Sequence, residues 1–147
     1  MSDEDRSKRE TMARAFMSAL PFSAALDMRM DTYGEAEAQM SMPYSQAIIG
    51  DPITQVVHGG AVSALLDTCG GAAVFLHPDG AAPTATLDLR VDYMRPAKPG
   101  HRIHAWAEVY KATRSVAFVR GVAYDDDRAS PVAMLTAAYT FERKAAA

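Results

Sequence analysis

The sequence is short of cysteine, of clustered basic residues and of long apolar runs, and each shortage narrows the possible functions. Cys69 is the only cysteine, so no disulfide can form within the chain. The fifteen basic residues form no long run and the net charge is −3, which argues against nucleic acid as the main partner. No apolar stretch approaches the roughly 18 residues of a membrane span. The charged N-terminal residues lack the pattern of a secretory signal. We therefore expect a cytoplasmic protein that binds neither nucleic acid nor membranes.

Length and composition are those of a folded protein of modest size. The chain has 147 residues, of which 49% are apolar and 22% charged, both ordinary values for a folded domain. Residues 1–20 are predicted to form an N-terminal helical segment, because apolar residues recur at helical spacing until Pro21 stops the helix. Residues 21–147 are predicted to form the main domain.

A buried helix and several strands are predicted in the main domain. Residues 58–76 are apolar on almost every face, which predicts a helix enclosed by protein. The glycines at 70 and 71 each lower helix propensity by about 1 kcal/mol, so we expect either a close neighbour or a local kink there. Strands are predicted at residues 26–33, 35–42, 84–94, 102–110, 115–124 and 131–142. The expected architecture is α+β, an antiparallel sheet wrapped around one long central helix.

Asp67 is the only acid in the predicted central helix. A buried carboxylate is costly unless it is paired or hydrogen-bonded, so Asp67 is either structural, capping a backbone or pairing with an arginine, or catalytic. The helix opens with Gly59 and Gly60, and free N–H groups at a helix N-terminus suit a carbonyl oxygen that gains negative charge. Asp67 lies roughly 10 Å further along the axis. Two antiparallel helices from two protomers would therefore be needed at one carbonyl, which suggests a dimer.

Two motifs resemble those of a known family. Residues 57–68, Val-His-Gly-Gly-Ala-Val-Ser-Ala-Leu-Leu-Asp-Thr, resemble the signature of hotdog-fold thioesterases of the phenylacetate-pathway and human thioesterase-superfamily-member type. Residues 86–97 resemble the family's next landmark, a strand ending in an aromatic residue and a proline. The likeness spans about residues 20–141. It implies a hotdog fold, a homodimer or homotetramer with active sites between protomers, and hydrolysis of an acyl-CoA, with the coenzyme A thioester as substrate and no further cofactor.

The resemblance also implies roles for individual residues. The N–H of Gly59 would polarise the thioester carbonyl, and Asp67 of the other protomer would act as nucleophile or as general base on water. Thr86 matches a hydroxyl residue that helps to place the water. Family members often carry an amide side chain seven residues before the first glycine of the turn, where this chain has Pro52. Gln55 is the candidate substitute.

The remaining candidates are weighed between structural and functional roles. The ring of His58 is predicted to hold the turn by hydrogen bonding, with catalysis as the alternative. Cys69 is predicted to be a buried, inert thiol, because it points to a different side of the helix from Asp67. The four histidines show no metal-ligand spacing, so no metal site is predicted. Since guanidinium groups bind phosphate bidentately, the candidate ligands for coenzyme A are Arg95, Lys98, Arg114 and Ser115. The alternative for each is a solvated charge or polar group at the end of a strand. The resemblance favours Arg95 and the pair Arg114 and Ser115, because similar proteins bind the nucleotide near those turns.

Two other functions fit parts of the pattern. Pro52 in place of the usual amide would suit a non-catalytic module that binds acyl-CoA. A hydratase of the same fold would carry an Asp-x-x-x-x-His dyad, but the fifth residue after Asp67 is Ala72. The acyl group stays open, since alanines and methionines would accept an aromatic or a medium-length aliphatic tail.

Overall fold

The computed structural model describes residues 2–81 and 83–146, which form one six-stranded antiparallel sheet, one long helix packed against it, and a helical N-terminal segment. The elements are α1 Asp3–Ala19, α2 Pro21–Ala25, β1 Arg29–Gly34, β2 Glu37–Met42, a single 3-10 turn Gln46–Ile48, α3 Gly59–Phe75, β3 Thr86–Tyr93, β4 Ile103–Ala112, β5 Val116–Tyr124 and β6 Ala133–Thr140. The strand order is β1-β2-β4-β5-β6-β3. The predicted α+β architecture is confirmed. The short helix α2 and the 3-10 turn were not predicted.

Helix α3 is the core of the molecule. It contacts β2 through β6, and its fully buried residues include Leu65, Leu66 and Ala72. A helix that is apolar on all sides can be stable only when protein surrounds it. The side chain of His58 caps its first turn, because Nδ1 accepts a hydrogen bond from the Gly60 N–H at 2.8 Å.

Strand β5 shows how closely the helix approaches the sheet. Its small residues Ala117 and Ala123 are fully buried, whereas the bulkier Phe118 and Tyr124 lie half-buried on the opposite face. The fully buried Val119 lies on the same face as the two alanines, so this face of β5 belongs to the core against which α3 packs. The alternation of the sequence predicted the strand but did not say which face meets the helix.

Strand β3 lies at one edge of the sheet and pairs only with β6 among the described residues. The alternation from Leu87 to Tyr93 suggested one half-buried face, yet Leu87 is 58% exposed and Tyr93 is 52% exposed. Only Leu89 and Val91 are partly buried, because α3 covers only part of this edge. An open edge of this kind presents unpaired backbone groups and apolar side chains to a partner strand.

Helix α1 is fixed to the rest of the domain by buried residues and two arginines. Ala13 and Met17 are buried beneath it. Arg9 Nη1 donates to the His77 carbonyl oxygen at 2.7 Å, and Arg14 Nη1 donates to the carbonyl oxygen of Met30 at 2.8 Å. The helix is therefore part of the folded body. Neither α1 nor any other helix within residues 2–81 and 83–146 has the length and apolarity needed to cross a bilayer.

Candidate active site

Asp67 lies on α3 with its carboxylate turned toward the start of β3. Its Oδ1 accepts a hydrogen bond from Thr86 Oγ1 at 2.7 Å and lies 3.2 Å from Tyr139 Oη. Over residues 2–81 and 83–146, no arginine or lysine lies within ion-pair distance of this carboxylate. Among the described residues, the structure thus holds Asp67 with neutral hydroxyl donors rather than in a salt bridge.

Tyr139, on β6, is a site residue that the sequence did not reveal. Its hydroxyl also donates to the Asp67 carbonyl oxygen at 2.9 Å, and the side chain is almost fully buried. Burial, and then the charge of Asp67, raise the pKa of Tyr139 far above its ordinary value, so the hydroxyl remains a hydrogen-bond donor. It anchors the helix backbone and the carboxylate at the same point.

Gly70 accounts for the position of Tyr139. A Cβ built at Gly70 would overlap with Tyr139 Oη and lie 2.9 Å from its Cζ, so only glycine leaves room for the ring. Helix α3 continues without a break from Gly59 to Phe75. Of the two explanations for the double glycine, the close approach of a neighbour is therefore confirmed for Gly70. At Gly71 the nearest atom to a new Cβ would be 3.7 Å away.

A cavity of about 250 Å³ lies in front of Asp67. Its walls come from α1 and the residue after it, from α3, from the start of β3 with the segment that leads into it, and from β6. They are formed by Phe16, Met17, Leu20, Thr68, Gly71, Phe75, Pro83, Thr84, Ala85, Thr86 and Tyr139. A mainly apolar cavity with a few convergent polar groups is the usual form of a small-molecule site. Asp67 therefore borders a cleft, which a purely structural acid would not require.

The N-terminus of α3 forms a second, separate feature. Across the described ranges 2–81 and 83–146, the Gly59 N–H has no hydrogen-bond acceptor. Tyr93 Oη donates to the Gly59 carbonyl oxygen at 2.7 Å and also contacts the Ser63 hydroxyl. Gly59 and Tyr93 line a cavity of about 350 Å³ that does not include Asp67. Within one chain, the free amide and the acid thus border different cavities.

The two other residues predicted near the turn are both engaged in local contacts. His58 caps α3 through Nδ1, as described above. Gln55 has a positive φ of 62°, and its Nε2 donates to the Pro52 carbonyl oxygen at 2.7 Å. The Gln55 carbonyl oxygen accepts a hydrogen bond from Tyr44 Oη at 2.6 Å. The Gln55 amide therefore folds back onto its own loop.

The four candidate ligands for coenzyme A lie in two places. Arg95 forms a bidentate ion pair with the buried Asp125, at 2.6 and 2.9 Å, and holds the pKa of that carboxyl well below its usual range. Lys98 pairs with Asp126, while Arg114 and Ser115 lie exposed between β4 and β5. The two groups flank opposite ends of β4, roughly 30 Å apart for a strand of this length. One chain does not bring all four together.

Cys69 is confirmed as a buried thiol. Its Sγ donates weakly to the Ala38 carbonyl oxygen at 3.4 Å, and burial raises the pKa of the Cys69 thiol to about 12. A thiol of this kind is not a nucleophile. In the part of the chain that the structure describes, no three histidine, cysteine or acidic side chains are grouped as metal ligands would be.

The family follows from a comparison with known proteins. The profile of the thioesterase superfamily matches residues 54–132, more than half of the chain, and this stretch contains Gly59, Asp67 and Thr86. The chain therefore belongs to the thioesterase superfamily. It is a thioester hydrolase with the hotdog fold, as the motif at residues 57–68 had indicated.

Individual relatives agree with this class. The chain is 28% identical over 137 residues to the medium/long-chain acyl-CoA thioesterase YigI of Salmonella typhimurium, covering 84% of this chain and 87% of that protein. A crystal structure of a Pseudomonas aeruginosa protein is 42% identical, with a TM-score of 0.78 and coverage of 90% and 96%. The Escherichia coli PaaI protein of the phenylacetic acid degradation operon is 19% identical, with a TM-score of 0.79 and coverage of 92% and 94%. That last likeness shows the fold alone.

Proposed function

We propose that the protein hydrolyses acyl-CoA thioesters to a carboxylic acid and coenzyme A, at a site shared by two protomers. The observation that carries the proposal is the Asp67 carboxylate, which borders a cleft and is held by the hydroxyls of Thr86 and Tyr139. Among the residues that the structure describes, no lysine or arginine forms an ion pair with it. The name of the YigI relative supports acyl-CoA as the substrate class. The coenzyme A thioester is the substrate and no other cofactor takes part. The one cysteine is compatible with work in the reducing cytoplasm.

The chemistry needs a negative group on one side of the thioester carbonyl and a donor on the other. Asp67 either attacks the carbonyl carbon, giving an acyl-enzyme anhydride that water then cleaves, or removes a proton from a water that attacks. In both routes the carbon–sulfur bond breaks and the sulfur of coenzyme A leaves as a thiolate that takes up a proton. Gly59 of the partner subunit would donate its free N–H to the carbonyl oxygen as it becomes negative.

The shared site rests on two features of the single chain. The Gly59 amide and the Asp67 carboxylate border separate cavities, so one chain does not present both to one carbonyl. The edge of β3 is unpaired among the described residues and carries the exposed Leu87 and Tyr93. Two copies that join their β3 edges around a twofold axis would extend the sheet and set the two α3 helices antiparallel. A homodimer is the smallest assembly with complete sites, and a tetramer would consist of two such dimers.

The catalytic role of Asp67 is tested by replacing its carboxylate with the corresponding amide. Asp67→Asn keeps the shape and removes the charge, so kcat on a panel of acyl-CoAs should fall by about 10²–10⁴-fold. Free thiol release measures the rate. The control is Glu35→Gln, because Glu35 is an exposed acid in the turn between β1 and β2. Unchanged rates in Asp67→Asn, or tight acyl-CoA binding without turnover by the wild type, would contradict the proposal.

The backbone donor can be tested with a pair of variants at Gly59. Gly59→Pro removes the N–H at the first helical position, where proline is tolerated, and His58 already has the extended ψ of 132° that a following proline requires. Gly59→Ala retains the N–H, and its new Cβ would lie 3.3 Å from the Tyr93 ring, as the proline's would. Loss of one oxyanion donor costs about 10²–10³-fold in kcat. We expect that loss in the proline variant relative to the alanine variant.

The sharing of the site is tested by mixing the two inactive variants. A mixed dimer of Asp67→Asn and Gly59→Pro chains has one site with both defects and one site with neither. Random exchange of subunits should therefore restore about a quarter of the wild-type activity. If the acid and the amide of a site came from the same chain, every site in the mixture would carry one defect and no activity would return.

A further inference from the structure

Helix α1 carries two different apolar stripes. Ala13 and Met17 are buried against the domain, whereas Met12 and Phe16, one turn apart on another face, are 61% and 43% exposed. Large apolar side chains grouped along an open groove are a feature of binding surfaces. The part of the second stripe that stays exposed is therefore a candidate binding surface.

Two cavities run end to end beneath this stripe. The first, of about 250 Å³, starts at Asp67 and is bordered by Phe16 and Phe75. The second, of about 370 Å³, is bordered by Met12 and again by Phe75, and Pro83 lies in both linings. The rings of Phe16 and Phe75 stack at the junction, with centroids 5.9 Å apart and an angle of 6° between planes. We call the two cavities together the α1 groove.

The α1 groove has a wall, helix α1, that is fixed by hydrogen bonds, and a floor with space for a ligand at Gly71. Arg9 and Arg14 tie α1 to the carbonyl oxygens of His77 and Met30, so the helix is held in place over the groove. Gly71 on α3 forms the floor next to the acid, where a Cβ would meet no atom closer than 3.7 Å. Among the described residues that line the first cavity, Asp67 is the only charged one.

We propose that the acyl chain of the substrate extends from the thioester at Asp67 along the α1 groove, so that Phe16 and Met12 determine the preferred chain length. This inference rests on the proposed function of Asp67. Phe75 lies eight residues after Asp67 on α3, about 12 Å along the helix axis, which is the extended length of an aliphatic chain of about ten carbons. A shorter acyl group, or an aromatic one, would fill only the first cavity and leave the second unused.

A series of straight-chain acyl-CoAs from butyryl to palmitoyl tests the groove. In the wild type, kcat/KM should rise by about fourfold per methylene, the equivalent of 0.8 kcal/mol, until the chain reaches the second cavity. Phe16→Ala should lower the ratio of kcat/KM for dodecanoyl-CoA to that for butyryl-CoA by at least about tenfold. Gly71→Leu, which fills the floor, should lower the same ratio. Phe22→Ala is the matched control, because Phe22 on α2 is 63% exposed and lines neither cavity.

The outcomes separate the groove from the catalytic proposal. A wild type without chain-length preference, or an equal ratio in Phe16→Ala, Phe22→Ala and the wild type, would overturn the groove while leaving Asp67 in place. Binding of dodecanoyl-CoA and butyryl-CoA to the Asp67→Asn protein, measured by calorimetry, does not depend on turnover. Tighter binding of the longer thioester there, weakened by Phe16→Ala, would support the groove even if Asp67 proved dispensable for hydrolysis.

Discussion

The contact between Gly70 and Tyr139 allows a test in which two adjacent glycines respond in opposite directions. Gly70→Ala places a Cβ on Tyr139 Oη and 2.9 Å from Cζ. The ring is almost fully buried, so it cannot swing away as a surface side chain would. Either α3 or the ring must shift, and the hydroxyl then loses its contacts with the carbonyl oxygen and carboxylate of Asp67.

The size of the effect follows from one favourable and two unfavourable contributions to the free energy of unfolding. Replacing a helical glycine by alanine favours folding by about 1 kcal/mol, whereas overfilling a packed site costs about 1–3 kcal/mol. Loss of a buried hydrogen bond costs about 0.5–1.5 kcal/mol more, or up to about 3 kcal/mol if the bond is to a charged group. Gly70→Ala should therefore lower the free energy of unfolding by about 0.5–5 kcal/mol. Gly71→Ala has room for its Cβ and should raise it by about 0.5–1 kcal/mol.

Urea unfolding at one protein concentration, followed by circular dichroism, measures both variants against the wild type. Tyr139→Phe completes the experiment, because it removes the oxygen that the new methyl group would strike. The double variant Gly70→Ala/Tyr139→Phe should be more stable than the sum of the single effects predicts, by about 0.5–3 kcal/mol. If Gly70→Ala is as stable as Gly71→Ala, the ring does not fix Asp67 in the way described.

Three further predictions concern Thr86, Asp125 and Cys69. Thr86→Val removes the donor to Asp67 and should lower kcat by about tenfold or more, as expected for a hydrogen bond of about 1.5–3 kcal/mol to a charged group, whereas Thr86→Ser should retain most of the activity. The depressed pKa of Asp125 means that its stabilisation is complete above the unfolded pKa of about 3.9 and is lost as the pH falls. Asp125→Asn should therefore lower the free energy of unfolding at neutral pH by about 1–3 kcal/mol, and this free energy should then fall less steeply in acid than that of the wild type. Asp126→Asn is the control, because Asp126 lies on the surface and its replacement should change the stability little. The same pH dependence of stability in Asp125→Asn and the wild type would contradict this account. Cys69 should not react with a thiol reagent in the folded protein at pH 8, and should react fully in urea.

The sequence predicted most elements because their signals are local. An apolar helix behind a glycine turn, and strands with alternating side chains, can be recognised from neighbouring residues alone. Asp67 could be singled out for the same reason, as the one acid in an apolar helix. The profile of the superfamily confirms the class of protein to which this pattern belongs.

What the sequence did not reveal depends on residues that are far apart along the chain. Tyr139 contacts Asp67 although the two residues are 72 positions apart in the sequence. The sequence signal for this contact is Gly70, whose missing side chain indicates a close neighbour without identifying it. The sequence indicates Arg95 as a candidate ligand for coenzyme A, whereas in the structure its guanidinium group pairs with Asp125, 30 positions away. The exposure of β3 does not follow from the sequence, because alternating side chains do not distinguish an edge strand from a central one.

The methyl-sized side chains of β5 under α3 have a consequence for how this enzyme can change over evolution. Ala117 and Ala123 lie fully buried on the core face of β5. Helix α3 carries the acid, and Thr86 at the sheet edge donates a hydrogen bond to it. Ala123→Val would add volume to the packed core next to α3. Because tightly packed interiors transmit displacement, α3 would shift, and the position of Asp67 relative to Thr86 would change with it. Selection for a new substrate could therefore act on residues that never touch it.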